Sequence, residues 1–209
     1  MSNIDKSPKI SDAKKTQYKG EAHFLRALYY FNLVRLFGDV PWIEKQQTAS
    51  DNLQVSRTSK DIVYQNIIND LSDASSMLPA VYENSTDIGR ATKGAAFGML
   101  AKVYLTLKKY NETLVAIDSV TNLGVYSLNR KYEWNFDDTR ENGPESLFEV
   151  QYEKDVTAYA EFDILGQGGW HHEYMAPLAS INIGGKWGNF GWFCLLYTSP
   201  SPRDRQKSR

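Results

Sequence analysis

The chain has 209 residues and a formal net charge of −1, with 42% hydrophobic and 23% charged residues. This balance is typical of a folded protein, and the near-neutral charge gives no reason to expect nucleic acid or an anionic membrane surface as a partner. Residues 1–17 lack an apolar core, so the sequence as written predicts no export signal.

The first predicted element is a long helix from about Asp12 to Phe37. Within it, the stretch GEAHFLRALYYFNLVRLFGDVPW (20–42) is apolar on almost every side until Gly38 and Pro41, which favour a helix end. Charged and amide residues interrupt the run, which is shorter than the ~20 apolar residues of a membrane span. A helix of this kind is predicted to be enclosed by other helices. His23 and Trp42 are interpreted as packing residues.

An extended connection follows, and Thr58 or Ser59 is predicted to cap a second helix that ends before Pro79. Apolar residues recur along this helix at helical spacing and predict its buried stripe. They are Ile67, Ile68, Leu71, Ala74 and Leu78.

Thr92 is predicted to cap a third helix, and Asn111 a fourth helix that ends at Gly124. Small residues dominate one stripe of the third helix, which indicates close approach by a neighbour because interior glycines otherwise weaken a helix. That stripe is Gly94, Gly98, Ala101 and Leu105. The predicted buried stripe of the fourth helix is Leu114, Ile117, Val120 and Leu123.

The third and fourth helices have the spacing of a tetratricopeptide-type hairpin. Leu100, Ala101, Tyr104, Ile117 and Val120 occupy its usual positions, whereas Thr113 stands where a small Ala is common. One such unit cannot bury its own apolar face, so it must stack on neighbours.

Beyond Gly124 the pattern changes. A turn is predicted at residues 142–144 and a short strand at residues 147–152, after which residues 153–194 are rich in Gly and aromatics with little periodicity. The last stretch, LLYTSPSPRDRQKSR (195–209), resembles translated sequencing-adapter DNA rather than native protein. We therefore leave residues 195–209 out of the functional argument.

Three stretches carry a family resemblance: residues 20–42, GRATKGAAFGMLAKVYL (89–105) and ENGPESLFEVQY (141–152). In order and content they resemble signatures of the SusD/RagB family. The resemblance implies a mainly α fold of tetratricopeptide-like hairpins, with a loop-rich ligand region and short β-strands toward the C-terminus. Residues 1–152 would be the helical region, and residues 153–194 the start of the ligand region.

Members of this family are lipoproteins on the surface of the outer membrane. They bind glycans, or sometimes peptides, without catalysis, and cap a SusC-like, TonB-dependent transporter. They begin with a lipidated cysteine and continue well past the Gly-Trp-rich region. The resemblance therefore leads us to expect an internal fragment whose lipid anchor lies outside this sequence.

Sugar binding in such a protein would depend on aromatic rings stacking against sugar rings. The candidates in the irregular segment are Trp170, Tyr174, Trp187 and Trp192, although each could equally pack the loops onto the helices. The adjacent His171 and His172 point in different directions and lack a third ligand, so we predict no metal. The sequence contains no Gly-x-Ser-x-Gly motif, phosphate loop or dinucleotide fingerprint, and we predict no cofactor and no catalytic residue. Two alternatives stay open, a cytoplasmic tetratricopeptide scaffold and, less favoured, a carbohydrate-active hydrolase.

Overall fold

The computed structural model describes residues 3–48, 50–51, 53–136 and 138–150. These residues contain four α-helices: α1 (Asp12–Phe37), α2 (Lys60–Met77), α3 (Lys93–Thr106) and α4 (Tyr110–Asn122). Short 3-10 helices occur at Ile4–Lys6, Ser85–Asp87, Tyr132–Phe136 and Asp138–Arg140. The predicted mainly helical fold is confirmed in this part of the chain, where no helix combines the length and apolar character that crossing a membrane requires.

Both ends of α1 are capped, the C-terminal end by the predicted signal and the N-terminal end by a serine that the sequence analysis did not identify. Ser11 is the N-cap, and its hydroxyl accepts a hydrogen bond from the Lys14 amide at 3.4 Å. At the other end Gly38 has φ of 71°, a left-handed conformation that glycine adopts without a steric penalty. The predicted bounds of α1 are therefore confirmed.

The starts of α2 and α4 differ from the prediction. Ser59 occupies the N-cap position of α2 but its side chain makes no cap hydrogen bond, and the carboxylate of Asp39 accepts from the Lys60 amide at 2.8 Å instead. Val40 and Thr58 form an antiparallel bridge that holds Asp39 in place. Asn111 is wrong as the cap of α4, because the helix already begins at Tyr110.

Each helix packs mainly against the next one along the chain, which gives a stack of alternating direction. Gly20, early in α1, lies against Met77 and Leu78 at the end of α2, so close that a β-carbon on Gly20 would lie 2.9 Å from the Met77 Cβ. All five residues of the predicted α2 stripe are buried, which confirms that prediction. The largest fully buried side chains are Phe24, Phe31, Val63, Ile67, Leu71 and Val103.

The predicted buried stripe of α4 is wrong at its first two positions. Leu114 and Ile117 are 61% and 47% exposed, whereas Thr113 and Ala116 are buried. Short side chains at these two positions let α4 approach α3 closely, and the Thr113 hydroxyl is satisfied by donating to the Lys109 carbonyl at 2.8 Å. Val120, half-buried, stays on the side that faces α3.

Neighbouring side chains pack closely against the stripe of small residues on α3, as predicted. The ring of Tyr126 lies against Gly94, where any β-carbon would overlap it, and Leu147 lies against Gly98. Leu105, at the end of the same stripe, is exposed instead. The neighbours are thus segments that follow α4 rather than another helix.

The strand predicted at residues 147–152 falls partly outside the described residues. Residues 147–150 form no β-ladder with any described residue, and residues 151–152 lie beyond them. The β-strands expected toward the C-terminus therefore stay a prediction.

Candidate functional site

A buried carboxylate joins α1 to α2. Asp70 of α2 is only 4% exposed, and Arg26 of α1 donates two hydrogen bonds to it at 2.7 and 2.6 Å. His23 places Nδ1 2.7 Å from the same carboxylate, and because an ionised carboxylate only accepts, Nδ1 carries the shared proton. Burial opposes ionisation, but the hydrogen bonds from Arg26 and His23 outweigh it and keep the pKa of Asp70 below its ordinary value.

An aromatic stack extends this cluster toward the connection after α1. The Trp42 ring lies 4.2 Å from that of Tyr30, centroid to centroid, and the Arg26 guanidinium lies 5.1 Å from the Trp42 ring centroid. The Tyr30 hydroxyl accepts from the Ile43 amide at 2.9 Å and donates to the Pro41 carbonyl at 3.2 Å. His23 and Trp42 are therefore packing residues, as predicted.

A second polar cluster lies between α1 and the segment that precedes α3. Arg90 donates to Glu21 at 2.8 Å and also pairs with Asp87 at 2.8 Å. The Tyr82 hydroxyl donates to the Ala91 carbonyl at 2.8 Å and lies 3.2 Å from Glu21. Burial, together with the negative charge of Glu21, raises the pKa of Tyr82. Nothing local in the sequence indicates that Glu21 and Arg90 pair.

Next to this cluster is an open cleft of about 270 Å³. It is lined by residues 80–82, 88–90 and 92, by Val125 and Tyr126, and by residues 142–144 and 146–149. The Tyr126 hydroxyl lies 2.8 Å from that of Thr92, and Phe148 packs edge-to-face on Phe24 at 4.9 Å. These rings are engaged in packing, and the volume of the cleft is at the small end of the range for ligand-binding pockets.

The described residues contain no group of three or more His, Cys, Asp or Glu side chains that could hold a metal ion. Their two most buried carboxylate clusters, around Asp70 and Glu21, are each paired with an arginine. For Asp70 this pairing keeps the pKa below its ordinary value, so its carboxylate stays ionised near neutral pH. Both clusters join α1 to other parts of the helical stack, Asp70 to α2 and Glu21 to the segment before α3.

The four predicted ligand-binding residues, Trp170, Tyr174, Trp187 and Trp192, lie outside the described residues, as do His171 and His172. Their assignment stays a prediction. The part of the chain that the structure describes ends at Val150, just beyond the cleft.

Comparison with known proteins identifies the family to which this fold belongs. The SusD-like family described as "Starch-binding associating with outer membrane" matches residues 1–105. A SusD-like protein of Bacteroides ovatus is 36% identical over 155 residues, a match that covers 68% of this chain and 28% of that protein.

Two solved structures are similar over most of the chain. A SusD superfamily protein from Parabacteroides distasonis has a TM-score of 0.70 at 28% identity, covering 86% of this chain and 37% of that chain. Surface glycan-binding protein A from Bacteroides fluxus has a TM-score of 0.70 at 26% identity, covering 83% of this chain and 37% of that chain. This chain thus matches only 28–37% of the length of the three proteins.

The helical stack and these similarities place the chain among proteins that are built of tetratricopeptide-like helical hairpins. Within that class, the chain belongs to the SusD-like (SusD/RagB) family.

Proposed function

We propose that this chain supplies the helical scaffold of a surface glycan-binding protein that works in nutrient uptake without catalysis. The observation that carries the proposal is the match of residues 1–105 to a starch-binding, outer-membrane-associated family. The likeness to a surface glycan-binding protein supports the same ligand class. Oligosaccharide is the proposed ligand, and peptide is the alternative ligand.

In this proposal the paired polar clusters fix α1, α2 and the segment before α3, and the rigid stack carries the aromatic segment that follows. Trp170, Tyr174, Trp187 and Trp192 then provide ring faces for sugars, since aromatic side chains give large contact areas at small entropic cost. The acceptor of the captured ligand is a SusC-like, TonB-dependent transporter. The proposed site of action is the cell surface at the outer membrane, reached through a lipid anchor.

The proposal is tested by isothermal titration calorimetry of the 209-residue chain with starch and laminarin oligosaccharides. We expect saturable binding that weakens about tenfold, close to 1.4 kcal/mol, when an aromatic that stacks on sugar is replaced by Ala. Trp170→Ala, Tyr174→Ala, Trp187→Ala and Trp192→Ala are the test variants. Trp134→Ala is the matched control, because Trp134 is engaged by Arg140 at 4.1 Å.

Chromatography of the glycan after long incubation tests the absence of catalysis, and we expect its chain length to be unchanged. Shortened glycan would contradict a purely binding role. Binding of peptides from a protein digest, with no binding of glycans, would replace the ligand class and leave the scaffold role intact.

The cytoplasmic scaffold is the alternative function, and the exposed Leu114 and Ile117 of α4 favour it, because a tetratricopeptide array would stack a further repeat there. Protease treatment of intact cells that express the native gene separates the two. A surface protein is cleaved, whereas a cytoplasmic protein is protected until the cells are lysed.

A further inference from the structure

The cleft has three aromatic rings in its walls, and each ring is held in place by a contact with the helical stack. The Tyr126 ring packs against Gly94 of α3, and Phe148 packs edge-to-face on α1 with ring centroids 4.9 Å apart. The Tyr82 hydroxyl donates to a backbone carbonyl just before α3 at 2.8 Å. All three residues are half-buried and line the cleft, so each presents part of its ring there in a fixed position.

Hydroxyl groups in the cleft have hydrogens that the protein does not use. The Thr92 hydroxyl accepts from the Ala95 amide at 3.1 Å and lies 2.8 Å from the Tyr126 hydroxyl. These two hydroxyls carry two hydrogens, and the contact between them uses only one. In the described part of the chain nothing accepts the second hydrogen, and the Ser146 hydroxyl makes no hydrogen bond there either. Two donors are thus available to a ligand in the cleft.

The charges around the cleft do not favour an anion. Arg90 lines the cleft, but its Nη1 lies 2.8 Å from Glu21 and its Nε lies 2.8 Å from Asp87. Glu149 lines the cleft as well and adds a further carboxylate. Because these carboxylates offset the charge of Arg90, an anion gains little net attraction. The surroundings instead suit a neutral ligand that both donates and accepts hydrogen bonds.

The volume of about 270 Å³ is too small for an extended ligand and suits a single ring. A pyranose has an apolar face that packs on aromatic rings, and hydroxyls that donate and accept hydrogen bonds. We propose that the cleft is a subsite for one neutral hexose unit of a glycan, a site that the sequence analysis did not identify. This inference rests on the proposed function, which makes glycan the ligand.

Nuclear magnetic resonance of the ¹⁵N-labelled 209-residue chain tests the proposal, with glucose and maltotriose as probes. We expect the amide signals of Gly143 and Ser146 to shift and saturate with both sugars, because one hexose fills the cleft. The absence of these shifts, as expected for a cleft closed by another part of the chain, would overturn the inference.

The charge argument is tested with glucuronate, which has the same ring as glucose but carries a carboxylate. We expect it to bind at least about threefold more weakly than glucose, because Glu21, Asp87 and Glu149 surround Arg90. Tighter binding of glucuronate than of glucose would overturn the assignment to a neutral sugar.

Two variants test the donors of the cleft. Ser146→Ala removes one hydroxyl, and Tyr126→Phe removes another while keeping the ring against Gly94. We expect each to weaken glucose binding about three- to tenfold, the effect of one lost hydrogen bond. Tyr110→Phe is the matched control, since Tyr110 is exposed on α4 and does not line the cleft, and its effect should be less than about twofold.

The melting temperature separates a binding role from a structural one. We expect Ser146→Ala to change it by less than about 3 °C, so that its weaker binding is not a result of unfolding. Unchanged affinity in both cleft variants would overturn the proposal.

The same titrations report separately on the proposed function through the indole N–H signals of Trp170, Trp187 and Trp192. Indole shifts without shifts at Gly143 and Ser146 would overturn this inference and leave the proposed function intact. Shifts at Gly143 and Ser146 alone would support the subsite and contradict the assignment of the tryptophans.

Discussion

The α1–α2 pair and the α3–α4 pair bury their interfaces in different ways. The first pair combines large side chains, such as Phe24 and Leu71, with the buried carboxylate of Asp70. The second pair depends on small residues, with Ala96 of α3 and Thr113 of α4 among the buried positions. In the first pair a network of charged side chains fixes the position of one helix relative to the other. In the second pair the close approach of the two backbones fixes it.

This difference determines how each pair should respond to mutation. Removing one member of a buried ion pair leaves an uncompensated charge, which is among the most costly changes known for single residues. A pair built on small residues is instead sensitive to added volume, because a close-packed contact has no room for another methyl group.

The largest expected effect is that of Asp70→Ala. We expect a loss of about 3–5 kcal/mol in the free energy of unfolding, because Arg26 loses its partner in a buried position. Urea unfolding followed by circular dichroism measures it. Asp73→Ala, an exposed position on the same helix, is the control and should change stability by less than about 0.5 kcal/mol. Equal effects of the two substitutions would show that the buried cluster does not stabilise the α1–α2 pair.

The same cluster makes a pH-dependent contribution. The pKa of Asp70 is lowered in the folded protein by Arg26 and His23, so its contribution is present above the ordinary carboxyl pKa of about 3.9 and is lost as the pH falls through the folded value. We expect the stability difference between wild type and Asp70→Asn to shrink below about pH 4.

Urea midpoints at four pH values measure this difference. Other carboxylates contribute equally to both proteins, so their effects cancel. A difference that disappears already between about pH 7 and 5 would contradict the pairing of Asp70 with Arg26.

The close packing of α3 against the segment that follows α4 is tested by adding volume at Gly94. Gly94→Ala places a methyl group in the space occupied by the Tyr126 ring, and we expect a loss of about 1–3 kcal/mol despite the better helix propensity of Ala. In a Tyr126→Ala background the same substitution should become neutral or stabilise by up to about 1 kcal/mol.

Gly98→Ala is the matched control for that cycle. A β-carbon there would lie 2.6 Å from Leu147 Cδ1, the end of a flexible side chain that can move aside, so a smaller cost is expected. If Gly94→Ala costs the same with and without the Tyr126 ring, close approach is not the reason for glycine at this position.

Local signals determined what could be predicted from the sequence. The C-terminal end of α1 followed from Gly38, and the buried stripe of α2 from a strict apolar period. The prediction of the buried stripe of α4 was wrong because large apolar residues lie on two faces of the helix. Only the packing of α4 against α3 determines that the face with Thr113 and Ala116 is the buried one. Period alone cannot make that selection.

Contacts between residues that are far apart in the sequence could not be predicted either. Glu21 and Arg90 are 69 residues apart, and His23 and Asp70 are 47 apart, so no spacing rule relates them. The aromatic candidates for sugar binding were chosen by residue type in an irregular segment, and they lie outside the described residues. Family resemblance, rather than local chemistry, supplied the ligand class.

The smallest expected effect concerns the start of α2, where sequence and structure assign the cap to different residues. Asp39→Ala removes the carboxylate that accepts from the Lys60 amide, and we expect a loss of about 1 kcal/mol, typical of an N-cap. Ser59→Ala, which removes the locally predicted cap, should change stability by less than about 0.5 kcal/mol, because the Ser59 side chain makes no cap hydrogen bond. Thermal unfolding of both variants measures the difference. The reverse order would mean that the serine caps α2 in solution, and that the Val40–Thr58 bridge does not hold Asp39 at the helix start.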